Sequence, residues 1–518
     1  MFKSNSLLCS LSKRGVRLWV DGGQLHYRAP VGLLTAEEIA SLREMKSEII
    51  SVLASEMPAT TSNRENRPGL ASDLAPLSIQ QEGFMQLIEV GRTEELNEMM
   101  TFALKLSGAL NVEMLRRSLE AVVSRHESLR TKIVVVDGVP KQQIGEPRAY
   151  ELDILNLSDM PKVDAENKAR SLVESLSTRT FDPARLFDAC LIQLEEREHI
   201  LAIAIHHIVG DGSSCALFLR ELWIAYEDFI HCRKSSLPDV PLQYADYAVW
   251  QRDSFCYRRE KYEEYWRRKL AGAVRIEWPV DSQPEPGRHH TVAGVSICFG
   301  EALSSSLSDL ARREGTMPAM VVLALYACVI LCWCKKGDLV IASTVDGRDS
   351  SAHANIMGCL AYPVFLRVQT TGTQTFSDFL KRVVEEFMAA WTHREFCQIL
   401  GKMPEALGLF NTAVFQWQPW TSSEAGTPVE WDNATSSLEI HTFPFKSPLL
   451  SVRTGIDLLS YFSGGARGIC GQIYYREDRL LSGSVQRLLR NLRLAAEYVV
   501  REPRVRIAEI GNWIGRAA

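Results

Sequence analysis

A two-lobed α/β protein is what the sequence predicts, on three observations. Strand-like runs alternate with amphipathic helical segments, and the alternation occurs twice along the chain in comparable order. A composition of 46% hydrophobic and 23% charged residues is that of a globular chain, not a disordered, collagenous or fibrous one. With 518 residues, the chain has room for about three or four folding units.

Residues 1–56 read as a small unit. Val16 to Val20 is strand-like, Asp21-Gly22-Gly23 is a turn and Gln24 to Arg28 is a second short strand, which together predict a hairpin. Thr35 followed by Glu38 is a capping box, after which Ile39, Leu42, Met45, Ile49, Val52 and Leu53 recur at helical spacing. The stretch from Met57 is rich in Pro, Ser, Thr, Asn and Gly without apolar periodicity and reads as a linker over 57–75. The first α/β stretch, 76–250, begins with a strand at Thr101 to Ser107. A helix follows over Val112 to His126 with Leu115, Leu119, Val122 and Val123 on one side, then strands at Lys132 to Val136 and Ile200 to Ile205, and a helix at Cys215 to Phe229. The second stretch, 251–518, has a strand at Gly294 to Phe299 and a helix at Leu303 to Arg313. An uncharged apolar segment, Met317 to Cys334, and a strand from Asp338 to Thr344 come next.

That apolar segment is at the lower limit for crossing a bilayer. Its flanks favour a buried helix instead: Thr316 can cap it, Pro318 suits the first turn, and Lys335, Lys336 and Gly337 form a stop. The N-terminal MFKSNSLLCSLSKRG is too short and polar in its apolar part for an export signal, so a cytoplasmic protein is expected. Lys plus Arg number 58 against 63 Asp plus Glu, a net charge of −5, which gives no electrostatic footprint for nucleic acid or an anionic membrane. The 12 cysteines are scattered without CxxC pairs and read as reduced, buried thiols, neither a disulfide frame nor a zinc site.

Chemistry concentrates in His206-His207-Ile208-Val209-Gly210-Asp211-Gly212, which follows the strand and precedes a helix. Side chains alternate along a strand, so Ile203, Ile205 and His207 share one face while Ala204 and His206 share the other. Only one of the two histidines should face a given cavity. Neighbouring histidines on opposite faces cannot easily hold one ion, which disfavours a metal site. Two readings stand: strand-end histidines hydrogen-bonded to backbone above an Asp-Gly turn, or a histidine beside a reacting nucleophile. In the second, Asp211 fixes the loop and Gly212 leaves room for a thin substrate arm.

Several stretches, in order, resemble the condensation domains of nonribosomal peptide synthetases. They are Ser78-Ile79-Gln80-Gln81-Glu82-Gly83, Arg125-His126-Glu127-Ser128-Leu129-Arg130-Thr131, the HHxxxDG centre, and Tyr244-Ala245-Asp246-Tyr247-Ala248-Val249-Trp250. Tyr265-Trp266, Leu270-Ala271-Gly272, Asp346-Gly347-Arg348, Met357-Gly358-Cys359, His393-Arg394-Glu395-Phe396 and Asp457-Leu458 follow, so that the resemblance spans about residues 72–512. Ser213 stands where the family usually has Trp, Gly358-Cys359-Leu360-Ala361-Tyr362-Pro363 replaces a GxFVNT-like stretch, and Cys397 takes the place of a usual Pro. Residues 1–56 resemble the N-terminal docking domain of tubulysin-type synthetases.

The resemblance implies a fold of two chloramphenicol-acetyltransferase-like lobes in a V, the first lobe over 76–250 and the second over 251–518, preceded by a small hairpin-plus-helices docking domain over 1–56. It implies amide bond formation between a carrier-bound acyl or peptidyl thioester donor and a carrier-bound aminoacyl acceptor. His207 is the implied catalytic residue, with His206 packing, Asp211 paired with Arg348, and Gly212 as motif support. No metal and no cofactor are expected on this chain, phosphopantetheine being carried by the partner carrier proteins. Residues 1–56 would receive the upstream donor carrier or a synthetase C-terminal segment, with Lys13, Arg14, Arg17 and Arg28 as a basic docking surface. An acceptor carrier would be the second partner, and neither nucleic acid nor membrane is expected. An epimerisation domain of the same fold and a catalytically silent recruitment domain are the alternatives.

Overall fold

The computed structural model describes residues 17–21, 24–28, 42, 46, 73–89, 99–256, 259–279, 292–350, 352–395, 409, 412–418, 433–434, 437–445, 456–465 and 468–516. Strands β1 (Arg17–Asp21) and β2 (Gln24–Arg28) pair antiparallel, with Arg17 opposite Arg28 and Asp21 opposite Gln24. Lys13, Arg14 and, apart from Leu42 and Lys46, the helix expected after Thr35 lie outside the described residues. So do the side chains of Arg17 and Arg28, most of the linker, and Phe396 and Cys397.

The next elements are β3 (Leu74–Pro76), α1 (Ile79–Glu89), β4 (Met99–Gly108), α2 (Val112–Arg125), β5 (Thr131–Val136), β6 (Val139–Ile144), β7 (Asp153–Asn156) and α3 (Lys162–Ser177). They are followed by β8 (Phe187–Glu195), β9 (Glu198–His206), α4 (Gly212–Ile230), α5 (Tyr244–Cys256), α6 (Arg259–Leu270), β10 (Val292–Cys298), α7 (Glu301–Arg313) and α8 (Pro318–Cys334). The chain continues through β11 (Asp338–Asp346), β12 (Ala361–Gln369), α9 (Phe376–Thr392), β13 (Ala413–Gln418), β14 (Asn433–Ala434) and β15 (Leu438–Thr442). It ends with β16 (Leu458–Gly465), β17 (Gly468–Arg476), α10 (Ser482–Arg501) and α11 (Ile507–Arg516).

Two six-stranded sheets organise this list, in the orders β14-β15-β4-β9-β8-β7 and β10-β17-β16-β13-β11-β12, beside a small β3-β6-β5 sheet. The first sheet shows the period of two that the sequence predicts. Phe102, Leu104 and Leu106 of β4 with Leu201, Ile203 and Ile205 of β9 face α2 and α4, while Ala103, Ile200 and Ala202 face Ala165, Ala169 and Val173 of α3. Helix α2 buries Leu115, Leu119, Val122 and Val123, the stripe read from the sequence, with Ser118 beside them. In the second sheet β11, β13 and β16 run parallel and the remaining pairs antiparallel.

Helix α8 is the centre of the second core, with every residue from Ala319 to Leu331 buried. A helix apolar on all sides is stable in water only when other elements surround it, and α8 packs against α7, α9, α10 and α11. Among the described residues no single helix is long and apolar enough to cross a membrane; α7 and α8 reach that length only as a pair bent by 102°. The expected cap is corrected. Met317 occupies the N-cap without a side-chain bond and Pro318 opens the helix, while the Thr316 N–H donates to the Ala311 carbonyl and closes α7 instead. Lys335 ends α8 with a left-handed φ of 51°.

The cysteine reading is corrected twice. Cys298 and Cys470 form a disulfide, because the register of β10 on β17 sets these two residues opposite one another. Their separation of 172 residues hides that register from sequence inspection. Cys232, just past α4, is exposed. The chain also crosses the 250/251 division between the two expected lobes: β15 returns to the first sheet and pairs antiparallel with β4, Leu438 opposite Gly108 and Thr442 opposite Leu104. Phe443 and Phe445 then pack under that sheet beside α3.

Candidate active site

The site is built where β9 stops and α4 starts. Asp211 caps α4, its Oδ1 accepting from the Ser214 N–H at 2.9 Å, the arrangement for which Asp is favoured at this position. The turn that delivers Asp211 requires Gly210, since a Cβ there would come within 2.9 Å of Ile205 Cγ2.

The two histidines take opposite environments, as strand alternation predicts. His206 is buried, its ring centroid 4.8 Å from that of Phe181, and its Nδ1 accepts from the Ile208 N–H at 3.1 Å. Burial, helped by the neighbouring His207 and Arg179, pushes its pKa down to about 3, so the ring is a neutral packing group. His207 is half-buried. Its ring centroid lies 5.3 Å from that of Phe84 on α1, and its Nδ1 lies 3.5 Å from Cys359 Sγ.

Asp211 and Arg348 are within one buried ion pair at 2.8 Å. The carboxylate is saturated: Oδ2 accepts from Arg348 Nη1 and from the Leu360 N–H, both at 2.8 Å, while Oδ1 accepts from Ser214. Burial opposes its ionisation, but Arg348 and these hydrogen bonds outweigh that and hold the carboxyl below its ordinary pKa. Arg348 Nη2 donates to the Ile356 carbonyl at 2.9 Å and the Gly358 carbonyl at 3.1 Å. Ser214 Oγ lies 2.9 Å from both Asp211 Oδ1 and the Gly358 carbonyl, and accepts from the Gly358 N–H at 3.0 Å. Ser213, where the family usually has Trp, donates to Asp346 Oδ2 at 2.9 Å. The first lobe is therefore fastened to the loop before β12 by side chains of the HHxxxDG segment.

The other motif stretches surround this joint. Ser78 Oγ is 2.7 Å from the Tyr244 phenol, which donates to the Cys359 carbonyl at 2.8 Å. Gln81 Nε2 donates to the Ile208 carbonyl at 3.0 Å, and Gln251 accepts from the Ile79 N–H at 2.8 Å while reaching Tyr362 Oη at 2.6 Å. His126 meets Glu221 of α4 at 2.6 Å, and Ser128 donates to the Met357 carbonyl at 2.8 Å. Asp349, bonded to His353 and paired with Arg394, is held at a pKa of about 2 because those partners outweigh its burial. Tyr265 stacks on His393 with centroids 3.8 Å apart. Asp457 accepts from Arg275 at 2.8 Å. Among the described residues no group of three or more His, Cys, Asp or Glu could hold a metal ion.

Three contacts were not found by sequence reasoning: Phe84 and Cys359 against His207, and Ser214 within the ion pair. Ser214 carried a signal, a hydroxyl three residues after a helix-capping Asp; the other two are long-range and carried none. Tight packing at this joint gives a direct test. A Cβ on Gly358 would sit 2.2 Å from the Tyr244 ring, so Gly358→Ala is expected to cost about 1 to 3 kcal/mol of stability. Thermal melting of the variant checks this, and an unchanged melting temperature would contradict the packing described.

The family model for the condensation domain matches residues 71–445, and that for the TubC N-terminal docking domain matches residues 5–54. Among curated relatives, two proteins of the linear gramicidin synthase of Brevibacillus parabrevis are similar to this chain. One is 27% identical over 477 residues, covering 90% of this chain and 6% of that protein. The other is 26% identical over 436 residues, covering 83% of this chain and 8% of its own length. The chain thus spans under a tenth of either relative. Among solved structures, the EpoB cyclization-docking bidomain of Sorangium cellulosum superposes with a TM-score of 0.74 at 21% identity, covering 97% of this chain and 99% of that one. The X-domain from teicoplanin biosynthesis superposes with a TM-score of 0.70 at 23% identity, covering 86% and 98%. Both share the fold. With the condensation model matching most of its length, the chain belongs to the condensation-domain family of nonribosomal peptide synthetases, carrying a TubC-type docking domain in residues 5–54.

Proposed function

We propose that the chain joins a carrier-bound acyl or peptidyl thioester to a carrier-bound aminoacyl amine, with His207 at the reacting centre. The observation that supports this reading is the held but open imidazole. His207 is fixed against Phe84 and Cys359, while its Nε2 makes no hydrogen bond among the described residues. In the reaction the acceptor nitrogen attacks the thioester carbonyl, a tetrahedral oxyanion forms, and the carbon–sulfur bond breaks to release the carrier thiol. His207 Nε2 takes the proton that the nitrogen loses, and that proton ends on the departing sulfur. Asp211, Arg348, His206 and Gly212 support the geometry and touch no substrate. The chain itself binds no cofactor; phosphopantetheine belongs to the carriers. A cytoplasmic setting is part of the same reading.

The test is reconstitution with separately loaded donor and acceptor carriers, followed by mass spectrometry of the acceptor carrier. A new amide on the acceptor is the expected product. Exchange of the donor's α-proton with donor carrier alone would point to epimerisation instead, and carrier binding without either product would point to a recruitment domain.

Residues 1–56, with Lys13, Arg14, Arg17 and Arg28, form the proposed receiving surface for the upstream synthetase protein. Docking makes the donor's encounter effectively intramolecular. Deleting residues 1–56 is therefore expected to raise the donor-carrier concentration needed for half-maximal rate while keeping the maximal rate. A titration using the true upstream carrier with its own C-terminal tail measures this; equal apparent affinities would remove the docking assignment.

A further inference from the structure

The two residues that flank Cys359 are fastened on both sides. The Gly358 carbonyl accepts from Arg348 at 3.1 Å and its N–H donates to Ser214 at 3.0 Å, while the Leu360 N–H donates to Asp211 at 2.8 Å. The Cys359 carbonyl is itself held by the Tyr244 hydroxyl at 2.8 Å. The thiol is buried and the backbone carrying it cannot shift without breaking these bonds. Its sulfur stands 3.5 Å from His207 Nδ1, on the ring nitrogen away from the open Nε2.

A neutral imidazole carries one hydrogen, so Nε2 can act as a base only if that hydrogen sits on Nδ1. A partner for the Nδ1–H must then exist, and the described residue placed there is Cys359. We propose that Cys359 is a positioning residue for His207: its sulfur accepts the Nδ1–H, fixing the tautomer and ring angle that leave the Nε2 lone pair for the acceptor amine. This rests on the reading of His207 as the base. No bond to sulfur is made or broken. When Nε2 takes the amine's proton, the imidazolium keeps its Nδ1–H on the sulfur, and when the proton leaves for the departing thiol the ring returns to its starting tautomer. Asp211 and Arg348 then act on His207 at one remove, through the main chain of residues 358–360. A thiol that donated to Nδ1 would place the ring hydrogen on Nε2 and block this chemistry, so the direction of the contact decides the matter.

The experiment is nitrogen NMR of the histidine rings in the full-length protein, with His207 assigned from the signal lost in His207→Ala. Wild type is expected to show the Nδ1–H tautomer. Cys359→Ala is expected to shift His207 toward a mixture of tautomers and to lower kcat for amide formation at least about 10-fold with unchanged KM for both carriers, as loss of the correct tautomer lowers turnover in other histidine-dependent enzymes. Cys359→Ser, which keeps an acceptor at the same place, is expected to restore the spectrum and most of kcat. A wild-type ring with its hydrogen on Nε2, or a ring spectrum unmoved by Cys359→Ala, overturns the inference. If His207→Ala is inactive and only Cys359→Ala is silent, the positioning role falls alone. If His207→Ala turns over normally, the base reading falls first and takes this one with it.

Discussion

Alanine at position 207 is expected to abolish amide formation while leaving the melting temperature near that of the wild type. The loss follows from the chemistry, since a positioned proton acceptor is worth about 10²- to 10⁴-fold in rate and no other described imidazole reaches the same place. His206, the neighbour in sequence, is turned into the protein, neutral, and bonded to the Ile208 N–H. The retained fold follows from the surroundings. His207 is half-buried, and its described contacts are a ring on one side and a thiol on the other, so truncation strands no buried charge. Single-turnover condensation with the native donor carrier, alongside thermal melting, checks both halves. Wild-type turnover in this variant would falsify the catalytic assignment.

Asp211→Ala is expected to fail differently, by losing about 3 to 5 kcal/mol of stability, because it leaves the Arg348 guanidinium buried without its principal counter-charge. The same change uncaps α4 and frees the Leu360 N–H. Removing both partners is expected to cost less than removing Asp211 alone, so a double variant with Arg348→Met should melt above the single one. The sign of the pH dependence follows from the lowered carboxyl. Its stabilisation is complete above the ordinary carboxyl pKa of 3.8 and is lost as pH falls through the lower folded value. An Asp211→Ala protein that melted normally and was merely inactive would contradict the structural role and point to a direct part in the reaction.

What the sequence made legible, and what it hid, divides by range. The opposite fates of His206 and His207 were readable because a strand turns consecutive side chains to opposite faces, and the buried stripe of α2 was readable from helical spacing. The pairing of Asp211 with Arg348 came only through the family resemblance, since nothing local connects the two residues. In the sequence Cys359 stands only within a departure from a motif, with nothing local to mark it as a neighbour of His207. Thr316 misled because a capping residue type stood one position too early, with its N–H already used to end α7. The Cys298–Cys470 bond was invisible because it depends on the pairing of β10 with β17, which no periodicity reveals.

The return of β15 to the edge of β4 bears on how this protein is made. β15 leaves the ribosome long after β4, since β5 to β13 lie between them in the chain. At roughly 5 to 20 residues per second of synthesis, β4 waits on the order of tens of seconds with that edge unpaired. An unpaired edge is a template for the wrong strand, whether from the same nascent chain or from another on the same message. The first lobe is thus begun before β10 to β13 are made and completed only after them, so its last strand pairing waits on synthesis of four of the second sheet's six strands.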